Sequence, residues 1–193
     1  MKLTKRVLAL LLAATMTVGG AVTVMGDPVA AVVDVPGAPA TTSPTVAPLP
    51  AVAEDQEAKD GSIVDTSAKG TATYTDVANE KAKTVIVPDT VEVKGVTYTV
   101  TAIGANAFSG SKAKTVKLGS NIKTIKKNAF TKSKVKTLIL KGTKAIAIKK
   151  GAFKDSKITT IKVNKKMKAS QYKKLVKALK KAGFKGKVKK ARV

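Results

Sequence analysis

The chain has 193 residues, with 37 Lys or Arg against 12 Asp or Glu, and a formal net charge of +25. It holds no Cys, no His and no Trp, which excludes zinc sites and Ser/His or Cys/His catalysis and leaves an exported fold to be held by packing without disulfides. The charge is divided along the chain: residues 27–80 carry 2 basic and 9 acidic side chains, net −7, whereas 81–193 carry 32 basic and 3 acidic, net +29. Such asymmetry points to an anionic partner and says nothing of the fold.

Residues 1–26, MKLTKRVLALLLAATMTVGGAVTVMG, have a basic start (Lys2, Lys5, Arg6), an apolar stretch from Val7 to Met16 and small residues after it. This is the pattern of a signal peptide, with cleavage expected after Ala21, Gly26 or Ala30; an uncleaved anchor is the alternative. There is no lipobox Cys, and no later stretch is long enough to span a bilayer. Residues 27–61 are rich in Pro, Ala, Val and Thr and show neither helical nor strand period. They are expected to form an extended spacer, or else a propeptide, because frequent Pro fixes φ and removes backbone donors.

Residues 62–102 are expected to form an N-terminal β cap holding a degenerate repeat. KAKTVIVPDTV (81–91) echoes KAKTVKLGSNI (112–122), and Lys94-Gly95 separates two alternating apolar runs as a hairpin turn does. Residues 103–166 hold the regular repeats. IGANAFSGSKAKTVKL (103–118), IKKNAFTKSKVKTLIL (125–140) and IKKGAFKDSKITTIKV (148–163) align without gaps at spacings of 22 and 23 residues. That period marks a solenoid whose units bury their apolar faces against each other.

The aligned columns predict stacked Ile103/Ile125/Ile148, Ala107/Ala129/Ala152 and Phe108/Phe130/Phe153. They also predict the inward positions of one short strand per repeat, at Ala113/Val135/Ile158, Val116/Leu138/Ile161 and Leu118/Leu140/Val163. Parallel stacking of these strands gives one narrow sheet. Residues 167–193 are expected to form a basic helical cap, with Tyr172, Leu175, Val176 and Leu179 on one face, Ser170 as N-cap, Gly183 as C-cap and Phe184 packed near Leu179. A membrane-active amphipathic helix is the alternative there.

At these residues the chain resembles the BspA-like leucine-rich repeats of bacterial surface proteins, whose units read roughly I-x-x-x-A-F-x-x-C-x-x-L-x-x-I-x-[IL]-P. The resemblance covers 84–163. The chain departs from it with Ser111, Ser133 and Ser156 at the Cys column, Ala113, Val135 and Ile158 for the first Leu, and Gly119, Lys141 and Asn164 where Pro is common. A Ser at the Cys column is expected to bond the backbone of the adjacent coil. The resemblance implies an α/β leucine-rich-repeat solenoid with a narrow parallel β-sheet, an N-terminal β cap and a C-terminal helix cap, secreted or held at the surface of a bacterium.

Function is expected on the outward strand positions, Lys114, Lys117, Lys136, Thr137, Ile139, Thr160 and Lys162, together with Lys141 just beyond its strand. Parallel neighbours lie ~4.8 Å apart, which sets Lys117 and Lys162 roughly 10 Å apart with Ile139 between them. A row of ammonium groups at that pitch suits the charges of an anionic cell-wall polymer or glycan, or a host or surface protein. Extracellular nucleic acid is the alternative, disfavoured because the repeat Phe are expected inside and no recognition helix is present. Beyond residue 80 only Asp89, Glu92 and Asp155 are carboxylates, none paired by spacing. No catalysis, metal or cofactor is therefore expected.

Overall fold

The computed structural model describes residues 50–79 and 81–193. The expected signal peptide and most of the expected spacer lie outside the described residues. The spacer is also shorter than expected, because its end is β1 (Ala53–Glu57), which pairs antiparallel with β2 (Ile63–Ser67). β3 (Thr71–Asp76) follows, then β4 (Thr84–Val87), β5 (Thr90–Val93) and β6 (Val96–Ile103). The repeats contribute β7 (Thr115–Leu118), β8 (Thr124–Ile125), β9 (Thr137–Leu140), β10 (Ala147–Ile148) and β11 (Thr160–Asn164). Helix α1 (Ala169–Lys181) and strand β12 (Lys187–Ala191) complete the chain.

Two sheets form where one was expected. The first is mixed, in the order β1-β2-β3-β6-β8-β10 with β5 also on β6; β3, β6, β8 and β10 run parallel, and the hairpin pairs run antiparallel. The second is wholly parallel, in the order β12-β11-β9-β7-β4. Each repeat therefore gives a two-residue strand to one sheet and a longer strand to the other. A two-residue strand has no period to detect, and only stacking of coil on coil creates it.

The degenerate repeat aligns as its sequence predicts, with Thr84, Val85, Ile86 and Val87 opposite Thr115, Val116, Lys117 and Leu118. The predicted hairpin is β5–β6, with Val93 opposite Val96 and Lys94-Gly95 between them at φ 50° and 79°. Two consecutive positive φ angles twist the turn with the strands.

The core is a set of columns. Ile103 and Ile125 are fully buried and Ile148 half-buried, while Val116, Leu138 and Ile161 are buried in line, as are Leu118, Leu140 and Val163. The Phe column is longer than its sequence signature. Tyr74 lies 5.9 Å from Phe108, Phe108 4.9 Å from Phe130, Phe130 5.6 Å from Phe153 and Phe153 5.8 Å from Phe184, all between ring centroids. Backbone bonds clamp each turn to the next: Phe108 N–H donates to Ala129 carbonyl oxygen at 2.8 Å and Phe130 N–H to that of Ala152 at 2.9 Å. Each turn also holds two left-handed residues, first Asn106, Asn128 or Gly151 and then Gly110, Lys132 or Asp155. Gly enters that region freely and Asn and Asp at small cost, whereas Lys132 must be held there by its neighbours.

The Ser column departs from expectation. Ser133 Oγ is buried without a hydrogen-bond partner among the described residues, as is Thr131 Oγ1, while Ser111 Oγ accepts from the nearby Ala113 N–H at 3.3 Å. The bonds that cross between coils here come from the backbone, Lys134 N–H to Ser111 O and Lys157 N–H to Ser133 O. The hydroxyl takes the place of a side chain that needs no partner.

The C-terminal segment holds both a helix and the strand β12, where a helix alone was expected. Helix α1 buries Leu175 and Leu179, starts after Lys168 with no side-chain cap, and places Ser170 inside its first turn. Its end follows the capping pattern of paired backbone bonds: Ala182 is the cap, Gly183 (φ 91°) donates to Lys180 O, and Phe184 donates to Leu179 O. Gln171 Oε1 accepts from Ala145 N–H at 3.0 Å, tying α1 to the loop before β10. No described helix is long and apolar enough to cross a membrane.

Candidate functional site: the outward face of the parallel sheet

Alternation along β7, β9 and β11 sends Val116, Leu138 and Ile161 inward, so their neighbours point out. The register then places Ile86, Lys117, Ile139, Lys162 and Lys189 in one row across five strands, and Thr84, Thr115, Thr137, Thr160 and Lys187 in the next. Lys117 and Ile139 are half-buried among their neighbours, Lys162, Lys187 and Lys189 are exposed, and Ile86 is 55% exposed. The first row thus alternates Ile and Lys across four strands and ends on a third Lys.

Of the residues predicted from sequence, Lys117, Thr137, Ile139, Thr160 and Lys162 share this face. Lys114 and Lys136 precede their strands and stack, with Lys136 N–H donating to Lys114 O at 2.8 Å. Lys141 lies past the end of β9, half-buried, and its carbonyl accepts from Asn164 Nδ2 at 2.7 Å. Its charge acts on Asp89. Lys141 is therefore at the border of the face, near enough to Asp89 for its charge to favour the carboxylate.

Asp89 is the one carboxylate at that border whose titration is perturbed. Partial burial pushes its carboxyl upward, but the Ser120 hydroxyl, the backbone of Ser120 and Asn121, and the Lys141 charge together hold it below the usual carboxylate value. The Ser120 Oγ donates to Asp89 Oδ1 at 2.8 Å, and the Ser120 N–H bonds the same oxygen. Gly119 is required beside it, since a Cβ there would lie 2.6 Å from Asp89 Oδ1 and 2.9 Å from Pro88 O.

Among the described residues the one ion pair is Lys59–Glu92, at 3.3 Å and well exposed. The lysines of the sheet face therefore carry uncompensated charge. Sequence reasoning missed Ile86, Lys187 and Lys189. Ile86 was visible in the degenerate repeat, and the alternation Lys187-Val188-Lys189 was the signal for β12, obscured by the surrounding run of lysines.

Residues 85–187 match the BspA type leucine rich repeat region, in six copies. The chain belongs to the BspA-type leucine-rich repeat family. The match extends past the three regular repeats at both ends, taking in β4 from Val85 and α1 and stopping at the first residue of β12. No curated protein matches the chain. Among solved structures, a leucine-rich repeat protein from Bacteroides capillosus ATCC 29799 is similar at 15% identity, over 72% of this chain and 99% of that one, with a TM-score of 0.47. BspA-type repeats are interaction or surface modules, generally non-catalytic, of bacterial surface or secreted proteins.

Proposed function

We propose that this chain is a non-catalytic secreted or cell-surface binding module, a short capped solenoid whose parallel-sheet face docks an anionic polymer or glycan. The observation that supports this most is the in-register row of Lys117, Ile139, Lys162 and Lys189 beside Thr137, Thr160 and Lys187, with no acid opposite any of them. Ammonium groups one or two strands apart, ~5–10 Å, meet successive charges of a polymer, Thr hydroxyls add hydrogen bonds, and Ile139 offers apolar contact between two cations. Nucleic acid shares the electrostatics but gains little stacking, because the repeat Phe rings are buried against one another.

The test is binding of the full chain, at rising salt, to wall teichoic acid, a sulfated glycan, DNA and a neutral glycan. Selective binding to one polyanion, weakened at least tenfold by Lys117→Ala with Lys162→Ala and further by Lys189→Ala, is the expected result. Equal binding to every polyanion, lost together at physiological salt and indifferent to these substitutions, would sink the assignment.

A further inference from the structure

We propose that the chain associates head to tail with a second copy of itself, the β1 edge of one molecule docking on the groove between α1 and β12 of the next. The inference stands apart from polymer binding, because it uses the two ends of the stack and not the sheet face.

One end is acidic. Residues 50–79 hold six carboxylates against two lysines, and among the described residues β1 is the terminal strand of its sheet, paired only with β2. A bulge shapes its outer face: Ala53 lies opposite Thr66 and Gln56 opposite Val64, so one extra residue is accommodated near Asp55, whose φ is 49°. The extra residue shifts the alternation. Ala53 and Gln56 turn partly inward, and Val52, Glu54 and Glu57 are left on the exposed side. Val52 is 74% exposed, an apolar side chain standing in water two residues before Glu54, at the head of an acidic strand.

The other end is basic and hollow. Residues 165–193 hold 13 Lys or Arg and no acid. Among the described residues β12 is the terminal strand of the parallel sheet, and Val188, which continues the buried column of Val116, Leu138 and Ile161, is only half-buried. Between it and α1 lies a groove of about 320 Å³ with Tyr172, Val176, Phe184 and Val188 in its walls and Lys180 and Lys185 beside them. Both lysines are exposed.

The two ends complement each other in order as well as sign. An apolar knob at the head of an acidic strand meets an apolar groove flanked by ammonium groups, which favours this encounter over like-end contacts that juxtapose equal charges. The contact is heterologous, so it leaves a free acidic end on one molecule and a free basic end on the other, and growth can continue.

The absence of Cys gives a direct test. Full-length Val52→Cys and Val176→Cys, carrying tags of different size, are mixed under mild oxidation beside a control pair in which exposed Lys126→Cys replaces Val176→Cys. The expected result is a disulfide-linked heterodimer at least fivefold above control, suppressed by Glu54→Lys with Glu57→Lys on the first partner. Adding Lys180→Glu with Lys185→Glu, which line the groove, on the second partner restores it. A yield no greater than control, or one indifferent to the charge reversals, overturns the proposal.

Discussion

The rings of Phe108 and Phe130 lie with centroids 4.9 Å apart and planes within 3° of parallel. That separation is close to the ~4.8 Å between neighbouring strands, so the aromatic column keeps step with the sheet. Because carbon atoms in contact lie ~3.5–4.0 Å apart, parallel rings at this centroid distance form an offset stack, the arrangement their quadrupoles favour. Phe130→Ala is therefore expected to destabilise the fold by about 3–5 kcal/mol, read from urea denaturation. A double-mutant cycle on Phe108→Leu and Phe130→Leu should return a coupling of about 0.5–1.5 kcal/mol; additive losses would mean that the rings act only through buried area.

The unpartnered hydroxyl of Ser133 leads to the opposite sign of effect. Burying a hydroxyl without a partner costs about 1–3 kcal/mol, so Ser133→Ala or Ser133→Cys should leave the melting temperature unchanged or raise it by a few degrees. Ser111→Ala serves as contrast, because Ser111 Oγ accepts a bond from Ala113 N–H. A clear loss of stability in Ser133→Ala would contradict this account.

Asp89 makes stability depend on acid. Its carboxyl is held below the ordinary value of 3.8 in the folded chain. The bonds it accepts thus contribute fully above that value and are lost as pH falls through it toward the lower folded value. Asp89→Asn should cost on the order of 1 kcal/mol at neutral pH, a modest figure because the group is largely exposed. Urea midpoints measured from pH 6 to pH 2 should fall less steeply in the variant than in the parent, and parallel curves would rule out Asp89 as the cause. Gly119→Ala should destabilise at every pH, since its Cβ meets backbone as well as the carboxylate.

Thirty-two basic groups beyond residue 80 face three acidic ones, and one exposed ion pair is formed among the described residues. Self-repulsion of this kind is screened by salt, with a Debye length of ~30 Å at 0.01 M and ~10 Å at 0.1 M. The melting temperature should therefore rise as sodium chloride increases over that range, and rise further with a polyanion that binds the folded state alone. A melting temperature independent of both would show that the charges are too well solvated to oppose folding.

The repeating part of the fold was legible because stacking demands the same residue type at the same place. Ile125, Ala129, Phe130, Leu138 and Leu140 each have counterparts 22 residues earlier, and the structure stacks them in register. Thr84–Val87 was legible for the same reason. What escaped detection lacks that signal. β8 and β10 are two residues long, and β1 reads AEDQE, with a bulge that breaks its alternation. Tyr74 and Phe184 join the aromatic column from segments whose surroundings do not follow the repeat. At the candidate face, Lys117, Ile139 and Lys162 were readable from alternation within a repeat, but Lys189 belongs to it only because Phe184 and α1 turn the chain back beside β11.

The clamp from Phe108 N–H to Ala129 O, repeated from Phe130 N–H to Ala152 O, makes the middle coil interchangeable with its neighbours. Every group that coil offers upward, its lower neighbour offers too, and the same holds for what it receives. A gene segment encoding one such turn, cut at equivalent columns, can thus be lost or duplicated while the reading of all remaining contacts is preserved. Descent by whole turns changes the length of the Ile–Lys row in steps of one strand, so the number of charges offered to a ligand becomes a heritable quantity that varies without redesign of either end.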